Sequence, residues 1–201
     1  MRRIGIMGGT FDPIHNGHLA AAEAASEAFD LEQVVFVPAG IPPHKAGVVT
    51  PGWQRLAMVD QAIKNKLQFR VSDFEIVKSG ISYTIDTVAE FHSRYGPETE
   101  IYFITGADAF LEIITWKDIR RLMEMCRFIA VTRPGYAGAG LAAEIDKLPI
   151  YVQNRVNVLE VPGMQVSSTD VRAKISANQS VQGLVPTVVA EYIYEHNLYP
   201  G

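Results

Sequence analysis

Arg3-Ile4-Gly5-Ile6-Met7-Gly8-Gly9-Thr10-Phe11-Asp12-Pro13-Ile14-His15-Asn16-Gly17-His18 is the stretch from which the fold is read. Arg3 to Met7 is an apolar run of strand character. Gly8 and Gly9 then allow a sharp backbone turn and a close approach to a ligand. Asn16, Gly17 and His18 open a helix, whose first amides lack intrahelical acceptors and favour anions. Strand, glycine turn and helix start outline a phosphate site. It is neither a Walker loop, which ends in Gly-Lys-Ser or Gly-Lys-Thr, nor a dinucleotide fingerprint with three spaced glycines. His15 and His18 are three residues apart, so both imidazoles can face one ligand. On spacing alone a metal half-site or ordinary surface residues are favoured for the pair, and the surrounding residues change that weight.

The same alternation recurs along the chain. Runs at Gln33 to Pro38, Phe69 to Phe74, Ile101 to Thr105, Arg127 to Thr132 and Val156 to Val161 predict further strands. Between them, His18 to Phe29, Gln54 to Asn65, Thr84 to Tyr95 and Ala109 to Met125 are long enough for crossover helices. A last helix is predicted from near Pro186 through Tyr192 and Glu195 to about His196. Such a pattern is a parallel α/β sheet, and ligands of an open parallel sheet bind beyond the carboxyl ends of its strands. The unusual residues gather there: Gly8 to Pro13, Ala39 to Lys45, Gly106-Ala107-Asp108 and Arg133-Pro134-Gly135.

With 201 residues, 48% of them hydrophobic and 20% charged, the chain can bury one core, and residues 1–201 are expected to form a single domain. A formal net charge of −4 argues against a nucleic-acid-binding surface, which needs clustered Lys and Arg, so phosphate recognition is expected to be local. No long apolar run and no signal-like stretch behind Met1-Arg2-Arg3 is found, which predicts a cytosolic protein with no membrane partner. Cys126, the one cysteine, lies in Met125-Cys126-Arg127-Phe128-Ile129 and reads as a small core residue.

Gly8 to His18 resembles the signature of the nucleotidylyltransferase superfamily, a glycine-rich strand end followed by His-x-Gly-His. The Phe11-Asp12-Pro13 insert is similar to that of the bacterial nicotinate mononucleotide adenylyltransferases. Pro42-Pro43-His44-Lys45, Ser82-Tyr83-Thr84-Ile85-Asp86-Thr87, Gly106-Ala107-Asp108, Trp116 and Arg133-Pro134-Gly135 follow in that family's order, so the resemblance spans nearly the whole chain. Val166-Ser167-Ser168-Thr169-Asp170-Val171-Arg172 is similar to the superfamily's Ile-Ser-Ser-Thr-x-x-Arg, with valine for isoleucine, a loss of one methylene. The resemblance implies a Rossmann-like open parallel sheet with helices on both faces and a C-terminal helical segment. It also implies transfer of AMP from ATP to nicotinate mononucleotide, giving deamido-NAD and pyrophosphate in NAD biosynthesis.

Under that resemblance His15, His18 and Arg172 are the catalytic candidates. Gly8, Gly9, Thr10, Phe11, Gly17, Gly106, Asp108, Ser168 and Thr169 fall to ATP, and Lys45, Tyr83, Thr84, Trp116 and Arg133 to the acceptor. Each has a plainer reading. Ser168 and Thr169 are possible helix caps, although Arg172, three residues after Thr169, can reach the same phosphate. Asp108 either caps a helix starting at Ala109 or accepts from ribose hydroxyls. Tyr83 and Thr84 lead into a helix whose outward amides suit a carboxylate. Trp116 is either a core aromatic or a stacking partner for a pyridinium ring. Lys45 and Arg133 are either solvated cations or phosphate contacts.

The acceptor phosphate in this reaction is already ionised, so catalysis needs positioning and donors for the phosphoryl oxygens rather than a protein nucleophile. The motif region offers no carboxylate cluster for a protein-built metal site, so Mg²⁺ is expected to arrive on the ATP phosphates. Two rival readings stand beside this one. The first is a sister adenylyltransferase using nicotinamide mononucleotide or phosphopantetheine, and the second is a non-catalytic nucleotide sensor. Residues Ala39 to Val49 are expected to close over substrate. A homo-oligomer is left open.

Overall fold

The computed structural model describes residues 1–41, 50–78, 80–132, 139–162 and 166–201. The elements run β1 (Arg3–Gly9), α1 (Asn16–Ala28), β2 (Gln33–Pro38), α2 (Gly52–Ile63), β3 (Phe69–Val71), α3 (Phe74–Val77), α4 (Thr84–Tyr95) and β4 (Glu100–Gly106). They continue with α5 (Ala107–Leu111), a 3₁₀ turn (Ile113–Thr115), α6 (Ile119–Met125), β5 (Arg127–Thr132), α7 (Ala139–Ile145), α8 (Ile150–Gln153), β6 (Val156–Glu160), α9 (Ser168–Ser176) and α10 (Thr187–Glu195).

The strands form one six-stranded sheet in the order β3-β2-β1-β4-β5-β6, and every pairing is parallel. Successive strand residues point to opposite faces. Ile4, Ile6, Val35, Val37, Phe103 and Phe128 enter a core completed by Ile85, Val88 and Phe91 of α4 and Leu122 and Met123 of α6. Met7, Phe36, Ile104 and Ile129 enter the opposite core, with Leu19 of α1, Met58 and Val59 of α2, and Val189 and Ile193 of α10. Burial on both faces is why the strands read as unbroken apolar runs. The fold is therefore the expected Rossmann-like α/β sheet with helices on both sides.

Its order positions the site. The chain leaves β1 toward β2 and β3 and returns to place β4 on the other side of β1. At that reversal the loops after β1 and β4 diverge and leave a crevice at the carboxyl ends of the strands.

Two predicted elements differ from those observed by more than a residue or two at their ends. The strand expected to reach Phe74 stops at Val71, because Ser72 Oγ accepts the Phe74 amide (3.3 Å) and the chain turns into α3. The helix expected from Ala109 to Met125 is broken into α5, the 3₁₀ turn and α6. Thr115 Oγ1 bonds back to the Glu112 carbonyl (2.7 Å), Trp116 is extended, and Asp118 is left-handed at φ +51°. Cys126 is buried, its thiol donates toward Leu122 O, and burial pushes its pKa up, as befits an inert core residue. Among the described residues no helix is long and apolar enough to cross a membrane.

Candidate active site

The loop after β1 is shaped by its glycines and by a left-handed residue. Phe11 has φ +50°, and its ring is 2% exposed, packed edge-on against His18 (5.0 Å, 80°) and tilted on Phe36 (5.7 Å). A Cβ on Gly9 would come within 3.0 Å of that ring. With the Phe11 side chain turned into the core, any ATP contact at this position falls to its backbone.

His15 is the N-cap of α1, which opens at Asn16 as the motif reading expects. The His15 Nδ1 accepts the His18 amide and the His18 Nδ1 accepts the His15 amide, each at 3.3 Å, a reciprocal capping box made by two imidazoles. The rings stack at 3.6 Å with 17° between planes. A neutral imidazole that accepts through Nδ1 carries its proton on Nε2, so the cap selects the tautomer whose donor is at the far side of each ring. Gly17 is buried between the His15 ring and Val166. A Cβ there would stand 3.1 Å from His15 Nδ1 and 3.1 Å from Val166 Cγ1.

Donors from distant segments hold the carbonyls of this loop. Arg55 Nη1 donates to Thr10 O (2.6 Å), Arg172 Nη1 to Asp12 O (2.6 Å), and Ser168 Oγ to Pro13 O (2.9 Å). Arg172 Nη2 also donates to Thr169 Oγ1 (3.3 Å), so Arg172, Ser168 and Thr169 all sit against the histidine loop. The cap reading of Ser168 and Thr169 is corrected: Ser167 caps α9, its Oγ accepting the Asp170 amide (3.1 Å). Capping by Ser167 releases the next two hydroxyls for other partners.

On the other side of Gly8 and Gly9 lies a cleft of about 520 Å³, walled by Tyr83, Thr84, Phe103 and Trp116 among others. Trp116 stands edge-on to Phe103 (6.0 Å, 87°) and Phe128 (6.1 Å, 71°), held there by the break between α5 and α6. Tyr83 is the N-cap of α4, so the first amides of that helix have no intrahelical acceptor. Lys117 Nζ lies 4.3 Å from the centre of the Tyr83 ring and brings a positive charge to the same wall. Glu75 also lines the cleft. It is 8% exposed, accepts from Thr87 Oγ1 (2.5 Å), and has its pKa raised first by burial, against the hydrogen bonds from Thr87 and Ser82.

Gly106 is the N-cap of α5 and Asp108 lies exposed in its first turn. The helix begins at Ala107 rather than Ala109 and no side chain caps it, so the capping role weighed for Asp108 is corrected. Lys45, Arg133 and residues 42–49 of the expected closing segment lie outside the described residues. No group of three or more His, Cys, Asp or Glu converges to hold a metal ion among the described residues.

The cytidylyltransferase-like family model matches residues 6–174. A probable nicotinate-nucleotide adenylyltransferase of Moorella thermoacetica is 50% identical over 98% of this chain and 91% of its own. Another, of a Thermoanaerobacter species, is 46% identical over 98% of this chain and 94% of its own. This chain belongs to the nicotinate-nucleotide adenylyltransferase family. The family fold is seen in the nicotinic acid mononucleotide adenylyltransferase of Plasmodium falciparum, solved in complex with NaAD. Its TM-score is 0.81 at 21% identity, covering 99% of this chain and 98% of that one.

Family motifs do not mark every residue that builds this site. Arg55, Glu75 and Tyr199 carry no motif, and Asp12 stands in the sequence only as part of the Phe11-Asp12-Pro13 insert, with no role attached to its side chain. Arg55 did leave a trace: it shares the helical spacing of Met58, Val59 and Ile63, the buried stripe of α2, where an unpaired arginine would be costly. Tyr199 left none, because nothing local ties it to Asp12.

Proposed function

We infer that this chain transfers AMP from ATP to nicotinate mononucleotide, releasing pyrophosphate and forming nicotinate adenine dinucleotide. The observation that carries the reading is the placement of Gly8 and Gly9. They line the Trp116 cleft and lead directly into the loop capped by His15 and His18. An acceptor in the cleft and a triphosphate at the α1 N-terminus would meet over those two glycines.

In this reading the pyridine ring stacks on Trp116 and its carboxylate takes the first amides of α4 at Tyr83 and Thr84. Lys45 and Arg133 belong to the acceptor phosphate. The acceptor phosphate oxygen attacks the α-phosphorus of ATP, a new P–O bond forms, and the bond to the β-phosphate oxygen breaks with pyrophosphate leaving in line. The Nε2–H groups of His15 and His18 donate to the phosphoryl oxygens as charge builds. Ser168, Thr169 and Arg172 hold the β- and γ-phosphates, with the α1 amides and the backbone of Thr10, Phe11 and Gly17 around them. Gly106 and Asp108 face the ribose of ATP. Mg²⁺ enters as part of the ATP substrate. A cytosolic setting and a single domain over residues 1–201 accord with this assignment.

The test is pyrophosphate release from Mg–ATP with nicotinate mononucleotide, nicotinamide mononucleotide and phosphopantetheine supplied separately. Preference for the nicotinate form is expected. Release with a different acceptor moves the substrate, and ATP binding with no release from any of them makes the chain a nucleotide sensor.

A further inference from the structure

Asp12, Arg55 and Tyr199 line no part of the cleft, yet they converge on the loop that carries the two histidines. The Arg55 side chain is 1% exposed. Its Nε donates to Thr50 O (2.7 Å), its Nη1 to Thr10 O (2.6 Å), and its Nη2 to Ala39 O (2.6 Å) and Gly40 O (3.3 Å). One guanidinium thus ties the loop after β1 to the loop after β2. Burial lowers its pKa, opposed by the Asp12 charge, and an arginine stays protonated through such a shift.

Asp12 is 5% exposed and is held from three directions. The Thr50 amide donates to Oδ2 (3.3 Å), the Tyr199 hydroxyl to Oδ1 (2.7 Å), and Arg172 to its carbonyl (2.6 Å). Phe11, between the held residues Thr10 and Asp12, presses its ring on His18. A displacement of Asp12 therefore reaches His18 through one side chain and His15 through two intervening residues.

Tyr199 reaches this position from the end of α10 by left-handed conformations at Asn197 (φ +49°) and at Tyr199 itself (φ +59°). That conformation is disfavoured for tyrosine and persists where surroundings over-determine it. Here the bond to Asp12 and packing on the α1/α10 core do so. Burial raises the phenol's pKa, so the hydroxyl remains a donor at neutral and alkaline pH.

We propose that Tyr199 is a positioning residue for nucleotidyl transfer, acting through Asp12 to keep the His15/His18 cap in register with Arg172, and that the C-terminal tail is thereby part of the active centre. The inference rests on the nucleotidyl-transfer reading of the site. It is tested with the full chain as wild type, Tyr199→Phe, Asp12→Asn, the double variant, and Tyr194→Phe, which alters an exposed tyrosine of α10.

In Tyr199→Phe, kcat is expected to fall roughly tenfold, the effect of one hydrogen bond to a charged group. KM for both substrates should stay within about twofold, as befits an interaction that matters only in the transition state. The double variant should be no slower than Asp12→Asn alone, since both changes act on one bond. Tyr194→Phe should match wild type. Wild-type kcat in Tyr199→Phe, a loss confined to KM or to the folded fraction in a circular-dichroism melt, or multiplying effects in the double variant overturn the proposal. A second readout needs no turnover: the ring ¹⁵N signals of His15 and His18 should shift in Tyr199→Phe and not in Tyr194→Phe, and unmoved signals also overturn it. If wild type releases no pyrophosphate while those signals do shift, the proposed reaction fails and the positioning role stands.

Discussion

Replacing Gly8 by alanine places a methyl group 2.6 Å from Phe103 Cζ and 3.3 Å from Cε2. Carbon atoms prefer a separation of about 3.5 to 4.0 Å, so the ring must retreat by roughly 1 Å. It has little room, being 4% exposed and packed on Phe128 at 5.7 Å and Trp116 at 6.0 Å. The strand cannot yield instead, because β1 is bonded to parallel neighbours on both sides. Overpacking of this kind costs about 1 to 3 kcal/mol. For a chain of this size that lowers Tm by roughly 2 to 12 °C. The displaced ring is also the edge-on support of Trp116, and losing an aromatic contact of about 0.5 to 1.5 kcal/mol raises the KM for nicotinate mononucleotide roughly 2- to 13-fold. Thermal melts and steady-state kinetics read both effects. Gly8→Ala combined with Phe103→Leu, which clears space for the methyl, should recover more stability than the single changes predict by addition. Unchanged Tm and acceptor KM in Gly8→Ala, or additive behaviour in the pair, refutes the reasoning.

His18→Ala removes an aimed donor and should lower kcat about a hundred- to thousandfold, with calorimetric ATP affinity much less affected; loss of affinity equal to loss of kcat would refute that role. Ser167→Ala removes the cap of α9 and should cost about 0.5 to 2 kcal/mol in chemical denaturation, with activity falling because Arg172 is on the same helix. For Glu75 the folded pKa lies above the ordinary value of 4.5, so its contribution is fully present below 4.5 and is lost as pH rises through the folded value. Glu75→Gln should therefore gain Tm relative to wild type as pH rises above 4.5, and a difference constant with pH would sink the argument.

Much of the fold was legible because local periodicity and tertiary burial agree. Thr84–Tyr95, Gln33–Pro38 and Arg127–Thr132 have the boundaries that pattern alone predicts. Ala109 to Met125 was misread because its apolar content suits a helix throughout. The break comes from one threonine bonding backward and from Trp116 finding aromatic partners on β4 and β5, which no window of local sequence contains. At the site, the motif residues around His15, Trp116 and Arg172 were recognisable as types of chemistry. Ser167 caps α9 through the local Asp170 amide, but the partner of Ser168 and the burial of Arg55 depend on carbonyls that other segments present. Such acceptors are backbone atoms, and sequence does not distinguish one carbonyl from another.

The bonds that finish the histidine loop join residues 155, 160 and 187 positions apart. The loop that bears His15 and His18 is thus made before the residues that complete it. A nascent chain would carry His15 and His18 before Ser168, Arg172 and Tyr199 are made to seat them. Contacts of such sequence separation form late because the intervening chain must be ordered first. An incomplete chain, even one with the whole motif exposed, should therefore be unable to consume ATP.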